Sequence, residues 1–180
     1  MTQEAKETRP CVSRRAFLLA GGTAVSIVLV EGIPGLAGAA LQRAEYPRRK
    51  IGKLSALKVD APQYFLYPWK DVFSGCMLVK LGVAAGGGVG AKRDVVAFST
   101  LCTHMGGPLQ GTYNGQYKAI GPCPFHLTSF DLMKHGMVAA GQATESLPQV
   151  VLETRGDDIY AVGMMGLLYG YHSNLAPVQR

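Results

Sequence analysis

Four side chains able to bind a soft metal stand in two short stretches of this 180-residue chain. Leu101-Cys102-Thr103-His104-Met105-Gly106-Gly107-Pro108-Leu109 supplies one thiol and one imidazole, and Gly121-Pro122-Cys123-Pro124-Phe125-His126 supplies another of each. Glycine and proline around each pair mark the stretches as loops. Thiolates and imidazoles can hold zinc tetrahedrally, yet zinc sites usually open with two cysteines close together. Here each loop mixes its ligands, as C-x-H and C-x2-H. Ligation is the chemistry these types offer, with no nucleophile or general base implied. Zinc, and a purely structural use of all four residues, stay open on the spacing alone.

The mixed loops resemble the Rieske family, in which two cysteines hold one iron of a [2Fe–2S] cluster and two histidines hold the other. The resemblance covers roughly residues 58–165. It implies that Cys102, His104, Cys123 and His126 are the metal and cofactor ligands of one Rieske-type cluster per chain, with electron transfer as the activity and no catalytic residue. Quinol-oxidising members of the family carry a further cysteine in each loop, at the positions of Gly107 and Phe125, joined by a disulfide. Neither cysteine is present in this chain. With the leader removed only Cys76, Cys102 and Cys123 remain, so once two serve as ligands no intramolecular bridge can form beside the cluster. Cys76, in a strand-like run, reads as a buried free thiol. The family commonly places a serine two residues after the second histidine and a tyrosine two further on; this chain has Thr128 and Phe130. Thr128 keeps a hydroxyl for the cluster, and Phe130 does not.

The elements that must position these loops read as strands. The chain contains 23 glycines and 10 prolines, a composition of many turns and short elements. Runs rich in β-branched and aromatic residues recur at 64–67, 77–81, 95–100, 117–120, 137–140, 150–154 and 159–162, and no segment holds a helical period for three turns. Gly156-Asp157-Asp158 reads as a hairpin turn. The expected fold is all-β, a Rieske-type antiparallel β-sandwich with a smaller cluster-binding subdomain made of two loops, at 101–109 and 121–131. Ala84 to Gly90 is glycine-rich but has no Gly-Lys-Ser/Thr ending, so it reads as a flexible surface insertion and not a phosphate cradle. His135 and His172 stand outside both loops and are read as surface or satisfied histidines.

Ahead of the domain, Ser13-Arg14-Arg15-Ala16-Phe17 precedes an apolar run to Val30, then Glu31, a Pro34-Gly35 break and small residues to Ala40. This order resembles a twin-arginine export signal over 1–40, with the protein in the periplasm, or membrane-associated if the leader is retained. Residues 41–57 read as a linker or arm and 58–180 as the Rieske domain. The net charge is +6, but four basic residues precede position 16 and six lie between Arg43 and Lys58. The domain itself shows no basic and aromatic interleaving, so the charge does not point to nucleic acid.

The leader, the C-T-H-M-G-G and C-P-F-H loops and the tail from Ile159-Tyr160-Ala161-Val162-Gly163 to Leu168-Tyr169-Gly170 together resemble the small iron–sulfur subunit of arsenite oxidase. That resemblance implies a heterodimer with a large molybdopterin subunit that oxidises arsenite to arsenate. Electrons would then leave for a periplasmic cytochrome c or an azurin-like copper protein. The alternative is a membrane-anchored Rieske subunit of a quinol-oxidising cytochrome bc complex. Hydrogen bonds to cluster sulfurs favour the reduced, more negative state, so Phe130 predicts a potential below that of the quinol-oxidising relatives. A Phe130→Tyr variant should raise the midpoint by about 60 mV, the equivalent of one charge-assisted hydrogen bond in a one-electron couple; potentiometric titration checks it.

Overall fold

The computed structural model describes residues 45–175; the leader and the expected cleavage region lie outside them. Ten strands follow one another: β1 (Arg49–Lys53), β2 (Gln63–Leu66), β3 (Gly75–Lys80), β4 (Val95–Ser99), β5 (Tyr113–Asn114), β6 (Ala119–Ile120), β7 (Ser129–Asp131), β8 (Met137–Ala140), β9 (Gln149–Arg155) and β10 (Asp158–Met165). Six form one antiparallel sheet in the order β1-β10-β9-β4-β3-β2, and the other four form a smaller sheet, β5-β6-β7-β8. Helix among the described residues is limited to two short 3-10 turns, Leu54–Ala56 and Leu132–Lys134. Among the described residues no helix is long and apolar enough to cross a membrane. The all-β expectation is met, including the β9–β10 hairpin, in which Arg155 pairs with Asp158 around Gly156 and Asp157.

The pattern that builds the sheet is alternation on β3 and β4. Met77 faces Phe98 and Val79 faces Val96 on one side, and Leu78 faces Ala97 on the other. All are fully buried, so this pair of strands is covered on both faces. One face meets Leu109, Ile120, Phe130 and Leu132 from the small subdomain, together with Cys102 and Cys123. The other meets Val150, Leu152, Ile159 and Ala161 from β9 and β10, with Leu57, Tyr67 and Leu168. Bulges after Lys50 in β1 and after Ala161 in β10 increase twist. The sheet curls until Gly52 of β1 lies where a Cβ would be 3.3 Å from Leu78 Cδ2 and 3.9 Å from Gln63 Oε1 of β2.

Two expectations are corrected. The stretch 41–57, read as a linker or arm, enters the sheet at Arg49–Lys53 and pairs with β10, Lys50 opposite Tyr160. Its polar sequence conceals this because it is an edge strand, whose outward side chains face water; Lys50 pairs with Asp158 at 2.7 Å and Arg48 with Glu153. The glycine-rich stretch is held in place as well. Ala85 donates to the Arg93 carbonyl at 2.9 Å, Gly86 to the Met133 carbonyl at 2.8 Å, and Val89 exchanges bonds with Val95.

The small subdomain is fastened to the sheet by Asp60, whose carboxylate accepts from Tyr113 at 2.5 Å and from Lys118 at 2.8 and 2.7 Å. Tyr64 of β2 adds an acceptor for the Gly111 N–H at 2.9 Å. The Lys118 ammonium and then the Tyr113 hydroxyl hold the Asp60 carboxyl below its usual range against the opposing effect of burial. A depressed folded-state value stabilises the fold above the unfolded value, about 3.9, and that contribution is lost as pH falls through the folded value. Asp60→Asn should therefore lower Tm at neutral pH and converge with the native chain only once pH falls below the depressed folded-state value. The difference should be no more than about 1 kcal/mol because the groups are partly solvated; thermal melts across that pH range check it.

Candidate metal centre

Both loops leave strands and close on themselves through the same backbone figure. Loop one follows β4, where Leu101 bridges to Pro108 and Leu109 donates to the Thr100 carbonyl at 2.8 Å. Within it the Cys102 N–H donates to the Gly107 carbonyl at 2.9 Å, and the Cys102 carbonyl accepts from Gly106 at 2.8 Å. Loop two joins β6 to β7 and repeats the figure: Cys123 N–H to Thr128 carbonyl at 2.8 Å, Leu127 N–H to Cys123 carbonyl at 2.9 Å. The residue four after each cysteine is left-handed, Gly106 at φ 68° and Leu127 at φ 62°. Leucine there is disfavoured by roughly 1–2 kcal/mol, which the doubly bonded loop must supply. The repeat is invisible in the sequence because C-T-H-M-G and C-P-F-H-L share only the cysteine at the same offset.

This figure sinks the two sulfurs. Cys102 is 1% exposed and Cys123 2%, both free thiols in the same apolar core. Burial pushes the Cys102 thiol up; the backbone N–H groups of His104 and Met105 oppose this, while the adjacent Cys123 adds to it. A buried thiol can become thiolate when a bound cation compensates the charge. The His104 and His126 rings of the same two loops meet edge to face, 4.7 Å between centroids. His104 Nδ1 is buried and makes no hydrogen bond, and His126 is exposed.

The structure thus places Cys102 beside Cys123 and His104 beside His126. Among the described residues no three His, Cys, Asp or Glu side chains gather as one ion requires. Two thiols in one pair and two imidazoles in another are the donor types that the two irons of a Rieske centre take. The orphaned His104 nitrogen and the paired thiols fit a bound [2Fe–2S] group. Met105, Phe125 and Leu127, 55%, 56% and 67% exposed, surround the imidazoles with apolar surface.

The neighbouring residues fall as follows. Gly107 is buried beneath Phe125; a Cβ there would stand 3.1 Å from Phe125 Cδ2, 3.2 Å from its Cγ and 2.4 Å from Cys123 Sγ. The loops therefore face each other at Gly107 and Phe125, the two positions singled out by the family resemblance. Thr128 Oγ1 is fully buried and accepts from the N–H groups of Gln142 and Ala143, at 3.0 and 3.2 Å. With both lone pairs engaged it has only its proton to donate. Phe130 is fully buried in the core that holds both thiols. Cys76 is a buried thiol as expected, its pKa pushed up to about 12 by burial, with Sγ 3.5 Å from the Tyr67 carbonyl. His135 bonds Gln149 at 2.7 Å through Nδ1, and His172 is exposed; neither joins the site. Sequence reasoning missed the segment that braces loop one from outside, where the Thr103 hydroxyl donates to the Glu145 carbonyl at 2.9 Å. No local signal marks it.

The sequence matches the Rieske [2Fe-2S] domain over residues 76–162. Two curated relatives span almost the whole chain. Iodate reductase subunit IdrB of Denitromonas iodatirespirans is 62% identical over 93% of this chain and 89% of its own length. Iodate reductase subunit IdrB of Pseudomonas sp. (strain SCT) is 58% identical over 92% and 85%. The cytochrome bc1 complex Rieske iron-sulfur subunit of Streptomyces lividans is 38% identical over only 33% of this chain and 34% of its own. Among solved structures, the soluble domain of the Rieske protein II (soxF) from Sulfolobus acidocaldarius superposes with a TM-score of 0.61 at 24% identity, covering 79% of this chain and 86% of that one. That likeness is one of fold.

Because Phe125 Cγ lies 3.2 Å from the position of a Gly107 Cβ, cysteines at both places fall near the Cβ separation a disulfide requires, about 3.5–4.5 Å. Gly107→Cys combined with Phe125→Cys should form a bridge on mild oxidation once the Cys123 sulfur turns aside. Peptide mapping should recover the 107–125 cross-link; its absence would mean the loops are not opposed there.

Proposed function

The chain belongs to the Rieske [2Fe–2S] family, and on that premise we propose that it is the non-catalytic electron-relay subunit of an exported molybdopterin oxidoreductase, with Cys102, His104, Cys123 and His126 as the cluster ligands. The observation that carries the reading is a buried thiol pair and an imidazole pair, each with one member on either of two loops closed in the same way. When bound, the Rieske-type cluster supplies a one-electron couple. The residues of the chain do the rest. Cys102 and Cys123 provide thiolates, and the two histidines provide nitrogens at the surface side. Leu109, Ile120 and Phe130 keep water from the sulfurs, while His126 reaches solvent or a partner.

Iodate is the substrate we favour for the partner subunit, because the likeness to the two iodate reductase subunits runs through nearly the full chain. In that reading electrons pass through this subunit towards iodate, supplied by a periplasmic cytochrome c or a small copper protein. Arsenite oxidation, with the flow reversed, is the second reading; the C-T-H-M-G-G and C-P-F-H loops and the Leu168-Tyr169-Gly170 tail favour it. A quinol-oxidising cytochrome bc role is disfavoured by Gly107 and Phe125, which leave no inter-loop disulfide. Arg14 and Arg15 ahead of the apolar run support twin-arginine export to the periplasm.

Native protein purified anaerobically should contain iron in cluster form, visible absorption when oxidised and an EPR signal on reduction, and should co-purify with a molybdenum-containing subunit. Cys123→Ser should remove the absorption and the iron. Colourless protein with zinc would end the cluster reading. Dye-reduced native complex should be reoxidised by iodate; reduction of the oxidised complex by arsenite, without reoxidation by iodate, would transfer the substrate assignment to arsenite.

A further inference from the structure

Beyond β10 the chain does not trail away from the fold. It crosses the first cluster loop as a strap with two anchors. Leu168 is fully buried in the core shared by β9 and β10. Its N–H donates to Asn174 Oδ1 at 3.1 Å, and Asn174 Nδ2 donates to the Gly166 carbonyl at 2.7 Å, which closes the strap into a turn. Tyr171 is the second anchor. Its ring lies 4.8 Å from that of Trp69 and 5.9 Å from that of Phe73, and its hydroxyl bonds the Asp71 carboxylate. Between the anchors, Tyr169 turns to loop one. A Cβ on Gly106 would stand 2.2 Å from Tyr169 Cε1, 2.7 Å from Cδ1 and 2.8 Å from Cζ, so the ring rests directly on the glycine α-carbon. Gly106 is the residue whose N–H bonds the Cys102 carbonyl, and its φ of 68° suits glycine.

We propose that Tyr169 is a positioning residue that clamps the first cluster loop, taking the place of a covalent clasp in a chain that has none. The inference rests on the reading that these loops hold the cluster. Three contacts then restrain loop one from separate directions: Phe125 over Gly107, Thr103 on the Glu145 carbonyl, and Tyr169 over Gly106. Of these, the tyrosine ring packs on the residue whose N–H bonds the Cys102 carbonyl, and so it governs how readily the loop opens and, through that, how closely water approaches the sulfur. Tyr169 is 36% exposed, so truncating it leaves the core intact. Its action is through shape, and the hydroxyl is not required.

The test uses full-length protein loaded with its cluster. Tyr169→Ala should release iron to a chelator roughly ten-fold faster than the native chain, the factor expected for losing about 1.4 kcal/mol of aromatic packing. Its midpoint potential should rise, since added solvent favours the more negative reduced state, while the thermal unfolding midpoint stays close to native. Tyr169→Phe should restore both readings. Leu167→Ala, which removes exposed apolar surface from the same strap, should leave both unchanged. Native iron-release rate and potential in Tyr169→Ala would overturn the clamp, as would a Phe variant as labile as Ala, or iron loss that merely follows global unfolding. A native chain that binds no iron would instead overturn the ligand assignment on which the clamp depends.

Discussion

Everything near the metal centre depends on how two cysteine backbones are bonded. In each loop the cysteine N–H and carbonyl are both engaged, to the residues five and four further on. That double closure turns each side chain inward, so two thiols meet inside one apolar core. Burial without a partner penalises a thiolate, so the site is arranged for a bound cation. The strands then follow as supports: β4 delivers the first loop, and the β6–β7 connection delivers the second.

The loops hold together without a disulfide. A native bridge commonly contributes about 2–4 kcal/mol, chiefly by restricting the unfolded chain. A single hydrogen bond contributes about 1 kcal/mol and a packed aromatic a comparable amount. Several such contacts therefore approach one bridge, and this chain distributes them: Phe125 on Gly107, Tyr169 on Gly106, Thr103 on Glu145, and Thr128 on Gln142 and Ala143. The difference is kinetic as well as energetic, because each contact can open separately whereas a covalent bridge cannot.

The surroundings also bear on the chemistry of an electron relay. Phe130 presents no donor to the thiols, and the faces of Leu109 and Ile120 are wholly apolar. Around the imidazoles the surface is apolar too, with Met105, Phe125 and Leu127 exposed. Solitary exposed apolar residues need no explanation, but three around two imidazoles form a surface suited to a protein partner.

What could be read from the residues alone was the local chemistry. Two loops with one thiol and one imidazole each, runs rich in β-branched and aromatic residues at 77–81 and 95–100, a hairpin at Gly156-Asp157 and a buried Cys76 are signals carried within a few residues. They survive folding because ligand spacing, strand composition and turn chemistry are short-range properties. Only the tertiary structure decided that 49–53 is an edge strand, that the glycine-rich stretch is pinned by Arg93 and Met133, and that Tyr169 lies on Gly106. In each case the determining contact joins residues distant along the chain, and neither partner's local pattern reveals the other.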